Sequence, residues 1–204
     1  MSVSSRRIVD DHLTELVNAL LSFQDAAGVL ADWGRVLARV LGEGGRLLVA
    51  GNGGSAAEAQ HLTAELVGKL RADRVPLSAL ALHAETSSIS AIGNDFGFAE
   101  VYARQVRAHG RDGDVLLLLS TSGRSPNLLA AADAAAELGV HPWAWTGPAP
   151  NPLAARCTRT LAVPCDDPQV VQELHLVAAH LLCEYIEAYL PAVLGSSYAE
   201  AVTA

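Results

Sequence analysis

Basic residues are scarce in this chain. Fourteen Lys and Arg stand against 22 Asp and Glu, a formal net charge of −8 with His neutral, whereas a hold on nucleic acid built on counterion release needs the opposite balance. Cysteine is nearly absent. Cys157, Cys165 and Cys183 leave one thiol over in any monomeric disulfide scheme and lack the C-x-x-C spacing of common zinc and redox sites, so all three read as reduced thiols. There is no stretch of about 18 uncharged apolar residues, and no apolar h-region follows the opening MSVSSRRIVDDHLTEL. The expected address is the cytoplasm, with no membrane partner. No Lys-Ser/Thr pair closes a G-x-x-x-x-G loop and no G-x-G-x-x-G follows a strand pattern, which disfavours ATP and NAD.

What the chain has in plenty is apolar: 50% hydrophobic against 18% charged residues, many of them Ala and Leu suited to packed helices. Its 204 residues fit one domain able to bury roughly two-thirds of its unfolded surface.

From about Ile8 to Leu41 apolar residues recur at three- and four-residue steps, broken near Ala26–Gly28, which predicts two amphipathic helices that cover a core or pair with another subunit. Residues 1–44 therefore read as N-terminal helices of the same domain. The run Arg46–Ala50 is short, apolar and stopped by Gly51-Asn-Gly-Gly54, as a buried parallel strand turning into a helix would be. Further strands are predicted at Leu77–Leu82, Val115–Leu119, His141–Trp145 and Thr160–Val163. Helices are predicted at Ser55–Leu70, Asn127–Leu138 and Gln169–Leu190. Strands alternating with helices argue for a three-layer α/β/α sandwich around a parallel sheet, its core over 45–190 and a loose tail over 191–204.

In such a sheet ligands bind beyond the carboxyl ends of strands, where helix N-termini offer free N–H groups. Gly51-Asn-Gly-Gly-Ser55 lets backbone approach a ligand, with Ser55 available to cap the helix. Alone, this is also what an ordinary strand-to-helix turn looks like. Ser120-Thr-Ser-Gly-Arg-Ser125 adds four hydroxyls at a comparable strand end, and together the loops point to phosphate. His61 and Glu65 are four apart and share a helix face, which suits a divalent metal or a base beside a substrate, and equally a solvated pair. On the last helix, Gln172, His175 and His180 lie amid Val, Leu and Ala. His175 reads as a core histidine.

These stretches, with Gly93-Asn-Asp-Phe-Gly97 and Gln172-Glu-Leu-His175, resemble the sugar-isomerase (SIS) domain family from about residue 45 to 187. The resemblance implies an SIS-type fold and an aldose–ketose isomerase acting on sedoheptulose 7-phosphate. It puts substrate contacts on Asn52, Gly53, Gly54, Ser55, Glu65, Asn94, Asp95, Ser120, Thr121, Ser122, Ser125 and Gln172. It also implies one Zn2+ on His61, Glu65, Gln172 and His180, with Glu65 and His180 as the proton-transfer pair, and a homotetramer. Because Gln172 and His180 stand about 12 Å apart along one helix, a long span for two side chains sharing one ion, a neighbouring subunit is expected to supply part of the site, which part being left open. Lys69 and Val170 stand where the family pattern has Arg, and Pro148-Ala-Pro-Asn-Pro152 replaces a Gly-rich turn. These departures bear on the phosphate grip and the choice of sugar. A noncatalytic branch of the family binds a replication-initiator protein and lacks the matches to Glu65 and His180, both present here. A sugar-phosphate-sensing regulator would need a DNA-binding module, and the first 44 residues offer no basic recognition helix. An isomerase of a different phosphosugar is the remaining alternative.

Overall fold

The computed structural model describes residues 5–71 and 73–195. The N-terminal periodicity becomes α1 (Ser5–Ala27) and α2 (Leu30–Gly42). α2 buries Leu30, Trp33, Leu37 and Leu41, one stripe at helical spacing. There follow β1 (Leu47–Gly51), α3 (Gly54–Val67), β2 (Ala79–Ala81), α4 (Thr86–Phe96), α5 (Ala103–His109), β3 (Val115–Ser120), α6 (Pro126–Glu137), β4 (His141–Thr146), β5 (Arg159–Ala162) and α7 (Pro168–Leu194).

The five strands pair in parallel in the order β2-β1-β3-β4-β5. Central strands of such a sheet are covered on both faces, and β3, VLLLLS, is buried throughout. Alternation along the strands then sorts two cores. Leu47, Val49, Leu117, Leu119, Trp143 and Trp145 pack with α1, α2, α3 and α7. Leu48, Ala50, Leu116, Leu118 and Ala144 pack with α5 and α6. The three-layer sandwich expected from the strand–helix alternation is what forms.

Three expectations need correction. Two helices, α4 and α5, stand between Leu82 and Val115, where the apolar pattern predicts none. β2 is only three residues long. The tail is helical as far as Leu194, because Pro191 falls in the last turn, where its missing N–H breaks a single backbone bond. The rest of the expected tail, from 196 onward, lies outside the described residues. α7 is long and apolar enough to cross a membrane by length and composition alone, yet Val170, Leu174, Ala178, Leu182 and Ile186 are spent on the core.

Leu117, fully buried on the central strand, is a direct test of this packing. Leu117→Ala should lower unfolding free energy by about 2–5 kcal/mol, the range for a buried Leu that leaves a cavity. The change in urea midpoint measures it.

Candidate active site

Neighbouring strands β1 and β3 send their helices to opposite faces of the sheet, α3 to one and α6 to the other. That is a topological switch point, and a crevice opens there beyond the strand ends. A cavity of about 90 Å³ lies in it, lined by Asn52, Ser55, Leu119, Ser120, Thr121, Ser122, Ser125 and Gln172. It has room for a phosphate-sized group.

The walls suit an anion. α3 begins at Gly54 with Gly53 in the capping position and no side-chain cap, and α6 begins after Ser125, again with none. Among the described residues the Gly54 and Ser55 N–H groups of α3 and the Asn127 N–H of α6 are left for a ligand; Pro126 has no N–H, and the Leu128 N–H is taken by the Ser125 carbonyl and Asn127 Oδ1. The expectation that Ser55 caps α3 is corrected: Ser55 lies within the helix and is buried against the cavity. Gly54 lets Gln172 lie close against α3: a Cβ there would come within 2.2 Å of Gln172 Oε1 and push that side chain aside. Ser120 Oγ accepts from the Gly123 N–H at 3.1 Å and stands 3.4 Å from Ser125 Oγ. The Asn52 amide is committed to a reciprocal pair with Asn127, at 3.0 and 2.9 Å, which ties the β1 loop to the start of α6. Tyr102 adds a hydroxyl donated to the Gly51 carbonyl. Asn127 and Tyr102 have no signal in the sequence beyond one polar residue in a helical run and one aromatic.

A second group forms where α3 passes α7. His61 Nε2 lies 3.0 Å from His180 Nε2 and 3.5 Å from Glu65 Oε1, and the donor atoms of all three fall within 4.8 Å of one another. One chain therefore supplies His61, Glu65 and His180 together, so Glu65 and His180 meet without a neighbouring subunit. Two imidazoles and a carboxylate match a zinc or similar divalent ion. Tetrahedral zinc with bonds of about 2.0–2.1 Å would set two imidazole nitrogens about 3.3 Å apart, close to the spacing present. The Gln172 amide packs on Gly54 and lines the crevice. Asn94 and Asp95 are exposed on the last turn of α4, bonded to each other, and do not line the cavity. Lys69 pairs with Asp73 at the surface, while Val170 is fully buried in the core, so neither departure from the family pattern places a charge in the crevice.

A parallel sheet with a hydroxyl-lined switch-point crevice defines a phosphosugar-binding class, and sequence comparison agrees: the SIS domain family matches residues 12–147. The chain belongs to that family. Within it the chain stands among the phosphoheptose isomerases. It is 62% identical over 179 residues to the phosphoheptose isomerase of Streptomyces coelicolor, covering 88% of this chain and 78% of that one. It is 42% identical over 193 residues to that of a Bradyrhizobium species, covering 93% and 98%. The solved phosphoheptose isomerase of Francisella tularensis superposes with a TM-score of 0.85 at 32% identity, and that of Neisseria gonorrhoeae with 0.83 at 36%. Each covers 91% of this chain and 100% of the other.

Behind the crevice sit two buried titratable groups. His175 on α7 is fully buried, its Nε2–H directed at the Thr146 carbonyl at 3.3 Å. Its Nδ1 lies 3.9 Å from Glu58 Oε2 on α3, too far for a hydrogen bond, and neither atom has another partner. Burial pulls His175 down to about 4 and pushes Glu58 up to about 8. Both are thus neutral at pH 7, as two ionisable groups out of water and without a counter-charge should be.

Their effects on stability oppose each other. The unfolded chain takes up a proton on His175 that the fold refuses, so this group removes stability as pH falls from about 6.5 toward 4. The fold keeps a proton on Glu58 that the unfolded chain releases, so this group removes stability as pH rises from about 4.5 toward 8. Between pH 5 and 7 each slope amounts to about 2 kcal/mol and the two nearly cancel. Glu58→Gln should unmask the histidine and be less stable at pH 5 than at pH 7 by about 2 kcal/mol in urea unfolding. His175→Leu should show the reverse slope. A flat profile in both variants would mean that neither group is perturbed.

Proposed function

We propose that the chain converts sedoheptulose 7-phosphate to D-glycero-D-manno-heptose 7-phosphate through an enediol, the first step toward a nucleotide-activated heptose. The observation that carries this reading is the meeting of Glu65, His61 and His180 in one chain beside a crevice sized for phosphate, in a member of the phosphoheptose isomerase group. The phosphate binds at the starts of α3 and α6, held by Ser55, Ser120, Thr121, Ser122 and Ser125 and by the free N–H groups there. That anchors the far end of the sugar. Asn94 and Asp95 meet sugar hydroxyls.

At the other end the ketose carbonyl and its C1 lie between a carboxylate and an imidazole. Glu65 takes the C1 proton, the enediol forms, and His180 supplies the proton that arrives at C2. No nucleophile, nucleotide or redox cofactor is needed for a proton to move between adjacent carbons. A divalent ion, zinc by its donor set, would be held by His61, Glu65 and His180 together with Gln172, and would polarise the carbonyl and stabilise negative charge on oxygen.

The enzyme works in the cytoplasm, where phosphorylated sugars are retained, and as a homotetramer. The row of exposed apolar side chains on α1, with Ile8, Leu13, Val17 and Leu21 each more than half exposed, supports burial against another copy.

NMR of purified protein with sedoheptulose 7-phosphate tests the reading. Product signals should grow, and should stop growing after chelation and resume on adding Zn2+. Glu65→Gln and His180→Ala should each cut turnover by on the order of 10²–10⁴ while circular dichroism shows an intact fold. Near-normal turnover in either variant would remove that residue from the chemistry, and a metal-loaded wild type inert toward this sugar would remove the substrate.

A further inference from the structure

We infer that Asn151 is a positioning residue for phosphate recognition: it holds the Ser120–Ser125 loop in its anion-binding shape without touching the substrate. This rests on the reading of that loop as the phosphate grip.

The segment Gly147–Leu153 lies along the outside of the loop and is bonded to it at two backbone points. Gly147 N–H donates to the Thr121 carbonyl at 3.1 Å, and Leu153 N–H donates to the Gly123 carbonyl at 2.9 Å. Carbonyl oxygens repel an anion, and these two are engaged by the supporting segment. Asn151 sits between the two points. It is 7% exposed, and every bonding group of its amide is used. Nδ2 donates to Thr146 Oγ1 and to the Pro148 carbonyl, both at 3.1 Å, and Oδ1 accepts from the Ala154 N–H at 2.9 Å.

Its side chain is also packed onto the turn of the loop. A Cβ at position 123 would come within 2.1 Å of Asn151 Oδ1, and Gly123 has φ +60. A side chain at position 123 would be strained by that φ and would strike Asn151, so the glycine turn and the Asn151 side chain fit against each other. The cavity residues Ser120, Thr121, Ser122 and Ser125 flank this one point of support. A short polar side chain with two donors and an acceptor, fully satisfied within one turn, thus braces the wall against which the phosphate is held.

The phosphate keeps its charge from bound substrate to transition state, so a loosened grip loses binding that both states share. KM should rise while kcat holds. Asn151→Ala is expected to raise KM for sedoheptulose 7-phosphate about tenfold, with kcat within about twofold of wild type. Affinity for inorganic phosphate, measured by calorimetry on the metal-loaded protein, should fall by the same factor. Thr146→Val, a milder cut that removes one acceptor of the Asn151 amide, should move both quantities the same way by a smaller factor. It keeps the test available if Asn151→Ala folds poorly. Ser122→Ala, a direct loop contact, supplies the control. If Ser122→Ala raises KM while Asn151→Ala and Thr146→Val melt lower but retain wild-type KM and phosphate affinity, Asn151 is structural only and the inference falls. If Ser122→Ala is also without effect on phosphate binding, the loop reading falls and takes the inference with it. Because Asn151 is proposed to act through the loop, the Ser122→Ala/Asn151→Ala pair should raise KM by less than the product of the single effects, and a full product would overturn the inference.

Discussion

Everything functional in this molecule depends on the gap between β1 and β3, and the gap depends on the Asn52–Asn127 amide pair across its mouth. Two adjacent strands whose helices depart to opposite faces leave backbone at both helix starts without partners. Unsupported, the two loops could drift together and satisfy one another. A reciprocal pair of amide hydrogen bonds fixes their separation, so the free N–H groups stay directed at a space that only a ligand fills. Neutral amides suit this position, because a charged pair there would either compete with the incoming anion or neutralise the field that attracts it.

The strands and their loops were legible because a parallel sheet buried on both faces leaves a strong mark. Leu47–Gly51 and Val115–Ser120 are apolar runs cut off by small and hydroxyl-bearing residues, as buried parallel strands turning into helices are. Glu65 was legible through its spacing from His61. His180 was not legible from spacing at all. A histidine 119 positions from His61 joins it only through the packing of α3 on α7, and family resemblance alone pointed there. The expectation that a second subunit completes the site comes from treating Gln172 and His180 as sharers of one ion. In the fold Gln172 lines the crevice beside Gly54, and His180 meets His61 and Glu65.

What escaped the sequence escaped for identifiable reasons. α4, TSSISAIGNDF, has no fully buried residue, and its serines and glycine favour turns as much as helix, so no apolar period emerges. α5 has only seven residues. His175 was legible as a core histidine, but Glu58 looks like an exposed carboxylate until the packing of α3 on α7 sets it beside that imidazole. Asn151 was hidden by its neighbours, since three prolines in five residues read as an irregular connection.

α7 carries Gln172 against the hydroxyl-lined crevice and His180 beside His61. A helix is among the stiffest spacers a protein can build, and eight residues of it set those two stations about 12 Å apart. On the proposed reading the rod is a gauge: set between the anion site and the carbonyl, it measures the chain length of a sugar phosphate.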